Sequence, residues 1–304
     1  MIVIKKKQDC CGCYACKEVC PQKCISMQAD EEGFCYPSIN LEKCIECNLC
    51  VKVCPVLNQA STQKPAHVYV AINPNADIRL ESSSGGAFSL LAEKITNENG
   101  FVFGATFDKQ WNVIHNCTSD TNELNKFRSS KYVQSSINNT FTKAEELLKN
   151  GKKVLFSGTP CQIAGLKNFL RKDYPQLYTI DFICHGVPSP LVWKTYLNET
   201  LSMYKISPNT VRNINFRDKS LGWKKFSFTL QFERRGKKKH ITEVFYRNYY
   251  IRGFLHDIYL RPSCYSCPSK GGKSNSDITI ADFWGIQPVS YTHLTLPTTE
   301  RVEI

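Results

Sequence analysis

With 304 residues, of which 42% are hydrophobic and 12% aromatic, the chain can bury a large core and must contain at least one sizeable domain. No apolar run approaches the roughly 20 residues that a membrane span needs, and residues 1–11 lack the apolar region of a signal peptide, so we expect a cytoplasmic protein without a membrane span. The formal net charge of +12 is densest at residues 234–239; without a recognised nucleic-acid motif, this run predicts a solvated hairpin turn, with docking of acidic partners as the alternative.

The N-terminal region carries one cysteine pattern twice. Both copies have the spacing C-x2-C-x2-C-x3-C-P, and each cysteine of the second copy lies 34 residues after its counterpart. This is the bacterial iron–sulfur spacing, in which the fourth cysteine of each copy ligates the cluster of the other copy. One predicted [4Fe-4S] cluster is held by Cys10, Cys13, Cys16 and Cys54. The second is held by Cys44, Cys47, Cys50 and Cys20.

Zinc and disulfides are weaker explanations of this pattern. Zinc sites are built from two cysteine pairs, whereas each copy here is a triplet with a remote fourth member. A disulfide framework is typical of short secreted chains. Between the copies, two apolar runs around residues 30–33 predict a hairpin. Residues 1–57 therefore resemble a small bacterial dicluster ferredoxin.

The rest of the chain predicts a mixed α/β domain, so the expected fold class is α+β. A polar, proline-containing linker covers residues 58–67, and the sequence HVYVAI at 67–72 predicts a strand. A helix is predicted from about Gly86 and two strands near 101–107 and 111–118. From Thr140 onward, helices and strands alternate, which indicates a parallel unit. Later strands are predicted near 211–217, 226–233, 241–246 and 277–284, with a helix near 247–258.

The expected division of this region has three parts. Residues 68–148 and 149–288 form its two halves, and the second half is expected to be truncated. Residues 289–304 do not continue the alternation of helices and strands and resemble a translated cloning adapter, so we exclude them from the fold prediction.

Four further cysteines predict another metal centre. Cys161 follows a strand at a helix start, Cys184 ends the next strand, and Cys264 and Cys267 form a C-x2-C pair. Neighbouring parallel strands bring the first two to the edge where open α/β sheets bind ligands. A third [4Fe-4S] cluster is the favoured interpretation, with zinc as the alternative. Four cysteines remain without an assigned role: Cys11, Cys24, Cys35 and Cys117.

The stretches around these cysteines resemble a known family, that of the coenzyme F420 hydrogenase/dehydrogenase beta subunits, in the bacterial form fused to a dicluster ferredoxin. The matching stretches are SSSGGAFSLLA, SSKYVQS, SGTPCQIAGL, DFICHGVPSP, RPSCYSC and SDITIADFWG. The resemblance implies an oxidoreductase that contains flavin and iron–sulfur clusters, with FAD as the flavin. It does not imply that F420 is used.

The resemblance also implies roles for particular residues. A glycine-containing helix start would bind FAD phosphate; it consists of Ser83, Ser84, Gly85 and Gly86. An ordinary helix cap is the alternative. Three further FAD contacts would come from Ser130, Lys131 and Tyr132, with Lys131 stabilising the reduced ring. Thr159 and Gln162 would bind the flavin or cluster sulfurs. His185 would donate a proton to substrate or flavin.

The predicted function is electron transfer between a ferredoxin-like or other redox partner and a small organic substrate, through [4Fe-4S] clusters and FAD. A non-catalytic electron-transfer subunit of a larger dehydrogenase or hydrogenase complex is the alternative. Nucleic acid is not an expected partner.

Overall fold

The computed structural model describes residues 1–62, 64–65 and 67–283. Its N-terminal segment contains two short helices, α1 (Ala15–Glu18) and α2 (Leu49–Lys52), around a hairpin of strands β1 (Ile25–Ala29) and β2 (Cys35–Ile39). The strands are antiparallel, with Ile25 opposite Ile39 and Ala29 opposite Cys35. The predicted hairpin between the two cysteine copies is therefore confirmed.

The sequence repeat is also a repeat of backbone conformation. Left-handed residues occur at Gly12 and Tyr14 in the first copy, with φ of 67° and 65°. They recur 34 residues later at Glu46 and Asn48, with φ of 52° and 59°. Left-handed turns let a short loop curl around a central point, and α1 and α2 begin directly after them. Both copies therefore present their cysteines from the same kind of loop.

The remainder of the chain forms two sheets and six helices within the described residues. The helices are α3 (Ala76–Glu81), α4 (Ala87–Asn97), α5 (Thr140–Lys149), α6 (Pro160–Leu170), α7 (Pro190–Met203) and α8 (Tyr249–Leu255). The strands are β3 (Phe101–Phe107), β4 (Val113–Thr118), β5 (Val154–Ser157), β6 (Leu177–Phe182), β7 (Val211–Asp218), β8 (Ser227–Arg234), β9 (Lys237–Val244) and β10 (Ile278–Ile280). Most predicted elements are confirmed to within a few residues.

The larger sheet has the strand order β10-β6-β5-β3-β4. Strands β3, β5, β6 and β10 are parallel, as the alternation of helices and strands predicts, and β4 runs antiparallel to β3. Because side chains alternate across a strand, Val102, Leu155 and Ile180 pack against α4 on one face. Phe103 and Phe156 pack on the other face. The carboxyl ends of β5, β6 and β10 thus lie together at one edge.

The smaller sheet has the order β7-β8-β9 and is antiparallel. Its apolar face packs against Trp193 of α7 and Tyr250 of α8. The basic run at 234–239 forms the predicted hairpin, but only Arg235 and Gly236 make the turn, both with positive φ. Lys237–Lys239 belong to β9 because a two-residue turn suffices to reverse the chain.

The cysteine-rich segment and the α/β domain share one apolar core. Cys13, Ala15 and Val53 from the N-terminal segment pack with Phe141 of α5 and Ile163 of α6. The Glu18 carboxylate accepts hydrogen bonds from the Thr142 backbone N–H, at 2.8 Å, and from its hydroxyl, at 3.0 Å. Burial raises the pKa of Glu18 to about 7. The predicted linker therefore connects two parts that are already joined by packing.

The predicted strand at 67–72 is wrong. Within its residues, no ladder hydrogen bonds form, and the side chains of Val68, Tyr69 and Val70 are about half exposed. The segment instead lies against the turn before α4, where Asn73 N–H donates to the Gly85 carbonyl at 2.7 Å. An apolar alternation predicts a strand only where a sheet edge is available, and among the described residues no strand pairs with this segment. Residues 289–304 lie outside the described part.

No helix in the described ranges is long and apolar enough to cross a membrane.

Candidate iron–sulfur and flavin sites

The four thiols predicted for the first cluster lie close together. Burial, followed by the charges of Cys10 and Cys54, raises the pKa of Cys16 to about 12. A contact with Cys11 lowers the pKa of Cys13, but burial and the nearby charges of Cys16 and Cys54 raise it overall. The fourth cysteine of the second copy is thus beside the three cysteines of the first. This is the crossed arrangement that the spacing predicts.

The predicted thiols of the second cluster line one cavity. It is partly open to solvent. Its lining includes Cys20, Cys44, Cys47 and Cys50. The Ile2 backbone N–H donates to the Cys50 sulfur at 3.3 Å. Cys47 is exposed, whereas the cysteines at the first site are buried or half-buried.

Cys24 lines this second cavity as well. Its sulfur lies 3.3 Å from that of Cys20, and the thiols of Cys20 and Cys44 raise the pKa of Cys24 to about 11. The second site therefore contains five thiols, one more than a cluster needs. The sequence spacing contains no signal for this residue.

Four remote cysteines also meet at the carboxyl edge of the larger sheet. Burial, and then the charges of Cys161, Cys264 and Cys267, raise the pKa of Cys184. Burial, and then the charges of Cys161 and Cys267, raise the pKa of Cys264 to about 11. Within the described residues, no three His, Cys, Asp or Glu side chains lie close enough to share a single metal ion. A four-iron cluster is larger than one ion and takes more widely spaced thiols.

An isolated bridge holds two parts of this third site together. Pro188 pairs with Leu260 in antiparallel fashion, and Arg261 N–H donates to the Val187 carbonyl at 2.9 Å. This contact brings the loop after β6, which carries Cys184, beside the turn that carries Cys264. Lys270 Nζ adds a hydrogen bond to the His185 carbonyl at 3.0 Å. The cysteines are therefore positioned by backbone pairing rather than by a single loop.

Cys11, which carries no assignment from sequence, lies between two of these sites. It is buried, and its thiol interacts with the thiols of Cys13 and Cys161, which together with burial leave the pKa of Cys11 raised. Cys13 belongs to the first site and Cys161 to the third. The two sites are thus separated by little more than one side chain.

The residues predicted to bind FAD gather at the same end of the molecule. Ser83 Oγ lies 2.8 Å from Ser130 Oγ and accepts the Ser130 backbone N–H at 2.7 Å. Lys219 Nζ donates to the Ser84 carbonyl at 3.1 Å. Gly86 has φ of 82° and directly precedes α4, so the helix start is pinned to the loop that holds Lys131.

Several cations surround the residues that are predicted to bind FAD. Lys131 Nζ donates to the Arg128 carbonyl at 2.8 Å, and burial lowers the pKa of Lys131 to about 7. Arg217 is buried, and its Nη1 pairs with Asp282 at 2.9 Å. Its Nε and Nη2 atoms have no hydrogen-bond partner. Buried donors are normally paired in proteins, so these two are available to the acceptor atoms of a bound group.

A buried histidine lies next to this group. His115 Nε2 is 2.9 Å from the Ser157 carbonyl, and its Nδ1 is buried without a partner. Burial lowers the pKa of His115 to about 4, so the ring is neutral at pH 7 and Nε2 carries the proton that binds the carbonyl. Nδ1 therefore offers a free acceptor. The charge of Lys131 also acts on this ring.

Thr159 and Gln162 cap the start of α6. The Gln162 side chain accepts the Thr159 N–H at 3.0 Å and donates to Ser135 Oγ at 2.9 Å. The amide of Gln162 is thus engaged by neighbouring protein groups. Thr159 Oγ1 lies 3.2 Å from the Cys161 sulfur, where it can donate to a ligand thiolate.

His185 is exposed beside the third site. Its Nε2 lies 2.6 Å from the Asp257 carboxylate, and its ring packs edge-on against Phe254 at 4.9 Å. The ring centres of Phe254 and Tyr132 are 4.6 Å apart. His185 and the loop at 130–132 therefore lie on either side of one aromatic ring.

Sequence reasoning missed several residues of these sites. Arg261 lies inside the stretch RPSCYSC and Asp282 inside SDITIADFWG, so a signal for both was present. His115 and Arg217 lie in strands without any motif. Their roles depend on which strand ends meet, which the local sequence does not specify.

Two family models match the chain. The C terminus of the coenzyme F420 hydrogenase/dehydrogenase beta subunit matches residues 151–303. The 4Fe-4S dicluster domain matches residues 9–58. The second match supports two [4Fe-4S] clusters in the N-terminal segment.

Known proteins are similar over parts of their length. The coenzyme F420-dependent sulfite reductase of Methanocaldococcus jannaschii is 27% identical over 193 residues, which are 62% of this chain and 29% of that protein. The NADH-quinone oxidoreductase subunit I 2 of Geobacter metallireducens is 42% identical over 59 residues, 18% of this chain and 45% of that protein. The chain thus spans less than half the length of either relative.

Among solved structures, a chain of the xenon-derivatised F420-reducing [NiFe] hydrogenase complex from Methanosarcina barkeri is similar. The identity is 17% and the TM-score 0.43, over 68% of this chain and 69% of that one. A TM-score this low does not establish a common fold. The family matches stand without it: this chain belongs to the coenzyme F420 hydrogenase/dehydrogenase beta-subunit family and carries an N-terminal 4Fe-4S dicluster domain.

Proposed function

We propose that the protein is an iron–sulfur flavoprotein oxidoreductase that passes electrons between a ferredoxin-like partner and an organic two-electron substrate. The observation that carries this proposal is the gathering of Cys161, Cys184, Cys264 and Cys267 at the carboxyl edge of the sheet. They lie next to the first N-terminal site. A chain of ring contacts from His185 through Phe254 to Tyr132 leads from them toward Arg217.

The two N-terminal clusters take crossed ligand sets in this proposal. Cys10, Cys13, Cys16 and Cys54 hold the first, and Cys44, Cys47, Cys50 and Cys20 hold the second. The proximity of Cys54 to Cys10 and Cys16 supports the first set. The shared cavity supports the second set.

A third [4Fe-4S] cluster is held by the four remote cysteines. Their donor set is all thiolate, which suits iron–sulfur clusters as well as zinc. The position beside Cys11 and the first site favours iron, because electron transfer needs closely spaced redox centres and zinc has no redox chemistry. Thr159 Oγ1 supplies a hydrogen bond to the Cys161 sulfur.

The cation-lined group around Lys131 and Arg217 holds FAD. The unpartnered Arg217 donors fit a phosphate or another anionic group of this cofactor. The start of α4, with Gly85 and Gly86, adds backbone N–H groups of the kind that bind phosphate. When bound, FAD can exchange two electrons with an organic molecule and single electrons with iron–sulfur centres. Tyr132 borders the site through its contact with Phe254.

Two residues have acid–base roles in this proposal. Desolvation of the half-buried Lys131 lowers its pKa to about 7, so its ammonium can both stabilise negative charge and release a proton. His185 Nε2, which faces Asp257, is exposed to substrate and can hand over a proton there. The carboxylate of Asp257 holds the imidazole in one orientation.

The second cluster is the site of exchange with a redox partner. Cys47 is exposed, and Ile45 beside it is 60% exposed, so a partner can approach this cluster closely. The cysteines of the first and third sites are buried or half-buried. We also propose the cytoplasm as the compartment, because all sixteen cysteines are free of disulfides.

A non-catalytic subunit of a larger complex is the second candidate function. The surface beside His185 favours it: Ile183, Ile258 and Tyr265 are 73%, 71% and 61% exposed. Exposed apolar groups of this size are typical of surfaces that another protein covers. On this hypothesis the isolated chain would exchange electrons without converting a small molecule.

Iron and flavin analysis of anaerobically purified protein tests the proposal. Three clusters require about 12 irons per chain, and FAD requires one flavin per chain with its absorption spectrum. About eight irons would exclude the third cluster, and the absence of flavin after reconstitution would exclude FAD. A screen of small-molecule oxidants against reduced ferredoxin would then separate an enzyme from an electron-transfer subunit.

A further inference from the structure

Arg261 is a charged residue buried in the interior of the molecule. Its exposed fraction is 1%, and it lies between the bridge residue Leu260 and the turn that carries Cys264. Long charged side chains are almost never fully buried unless they are paired. The groups around Arg261 therefore decide whether its charge is compensated.

The guanidinium crosses from the α/β domain into the first cysteine loop. Nε donates to the Cys10 carbonyl at 2.7 Å, and Nη2 lies 3.6 Å from the Cys10 sulfur. Nη2 also donates to the Cys35 carbonyl at 3.0 Å, and Nη1 donates to Gln134 Oε1 at 2.9 Å. These hydrogen bonds join residues up to 251 positions apart in the chain.

Aromatic rings and a glycine complete the pocket. The guanidinium carbon lies 4.4 Å from the ring centre of Tyr36 and 5.4 Å from that of Phe34. A β-carbon at Gly12 would come within 2.7 Å of Arg261 Nη1. The equivalent position in the second copy is Glu46, which has a similar φ. The glycine in the first loop therefore leaves the space that the guanidinium occupies.

No carboxylate of the described residues neutralises this cation. Within the described ranges, Arg261 has no Asp or Glu oxygen at ion-pair distance. Carbonyl dipoles and rings offset part of the cost of burying a charge, but an unpaired buried cation remains expensive. A cubane held by four thiolates is a net anion. A cluster on Cys10 would provide the missing negative charge at the point where Nη2 reaches the sulfur.

We propose that Arg261 is the counter-ion of the first N-terminal cluster, that it fixes this cluster against the α/β domain, and that it raises the cluster's reduction potential. Reduction adds one negative charge to a cluster, and a buried cation stabilises that charge; an N–H···S hydrogen bond acts in the same direction. An electron that leaves the second cluster would then reduce the first one favourably. The inference rests on the ligand assignment for the first cluster in the proposed function, but not on the third cluster or FAD.

Redox titration of the reconstituted protein, followed by electron paramagnetic resonance, tests this role. The variants are Arg261→Met, which removes the charge and the donors, and Arg261→Lys, which keeps the charge but loses the planar arrangement of guanidinium N–H donors. Arg252→Met, an exposed arginine of α8, is the matched control. Cys47→Ser, which alters the second cluster, identifies its signal. The rate of iron loss to a chelator is measured on the same samples.

We expect Arg261→Met to lower the ratio of reduced to oxidised first cluster at least tenfold at a fixed potential, which is about 59 mV for a one-electron couple. Arg261→Lys should give an intermediate shift, and iron loss from the first cluster should be faster in both variants. The second cluster should behave as in Arg252→Met. Unchanged potentials with faster iron loss would show a merely structural role and overturn the proposal.

If Arg261→Met retains too little iron for titration, the Lys variant alone decides, because a retained charge without the N–H···S geometry must still move the potential. A count of about eight irons in the unaltered protein would remove the third cluster. It would leave the first-cluster signal available for this test, so the two failures are distinguishable.

Discussion

A β-carbon placed on Gly165 would lie 2.9 Å from the β-carbon of Cys13 and 3.0 Å from its sulfur. Helix α6 thus approaches the first cysteine loop as closely as a backbone without a side chain allows. The same helix carries Cys161 at its start. One helix therefore sets the spacing between the first and third sites.

Gly165→Ala should weaken this contact. At an unhindered helix position, the change from glycine to alanine stabilises a protein by about 1 kcal/mol. Here the methyl group overlaps Cys13, and overpacking of this kind costs about 1–3 kcal/mol. We expect a lower unfolding free energy in anaerobic denaturant titration and fewer irons per chain. A variant more stable than the unaltered protein, with full iron content, would contradict the close packing.

Cys264→Ser should remove one cluster and leave two. A third cluster held by four thiolates loses a ligand in this variant, so iron should fall from about 12 to about 8 per chain. Cys117→Ser, on strand β4, is the control and should leave the iron content unchanged. Equal iron in all three proteins would exclude Cys264 as a cluster ligand.

Arg217→Met should reduce FAD retention. The variant removes the buried Nε and Nη2 donors, which lack a protein partner, and charge-assisted hydrogen bonds of this type contribute about 1.5–3 kcal/mol each. We expect a dissociation constant for FAD at least tenfold higher, measured by quenching of flavin fluorescence. Arg212→Met, on the same strand but exposed and paired with Glu233, is the matched control. A similar affinity in both variants would place the cofactor elsewhere.

Lys131→Met should change how stability depends on pH. Burial lowers the pKa of Lys131 from 10.5 to about 7, so between these values the unfolded chain binds more protons than the folded one. Stability of the unaltered protein therefore gains a contribution that grows as pH rises from 7 to 10.5. Below pH 7 both states carry the charge and the burial penalty is complete.

The measurement is the difference in unfolding free energy between the unaltered protein and Lys131→Met at pH 6.5, 8 and 9.5. The unfolding free energy of the unaltered protein should rise relative to that of Lys131→Met as the pH increases across this series. Lys143→Met, an exposed lysine on α5, controls for the loss of any lysine. A difference that stays constant with pH would show that the Lys131 amine is not desolvated.

The N-terminal sites were predictable because their ligands follow from local spacing. The repeated motif fixes a repeated loop, and the left-handed residues at Gly12 and Glu46 show the same loop built twice. The parallel order of β5 and β6 was likewise predictable, since a helix between two buried strands forces a crossover. The convergence of Cys161 and Cys184 follows from that order.

Other features had no local signal. The segment at 67–72 has a strand-like pattern, but it pairs with no strand of the described residues. Cys11 looked like a spare cysteine, yet it lies between Cys13 and Cys161. Its position depends on how the first loop packs on α6, which only the assembled core determines.

The sequence by itself determined the iron–sulfur chemistry, the two cysteine loops and the alternation of helices and strands, because each depends on residues only a few positions apart. The tertiary structure decided that the first loop packs against α6 and that Arg261 meets Cys10 across 251 positions. The physical reason is that a buried cation and its partners are brought together by long-range packing of the core, which no local pattern encodes.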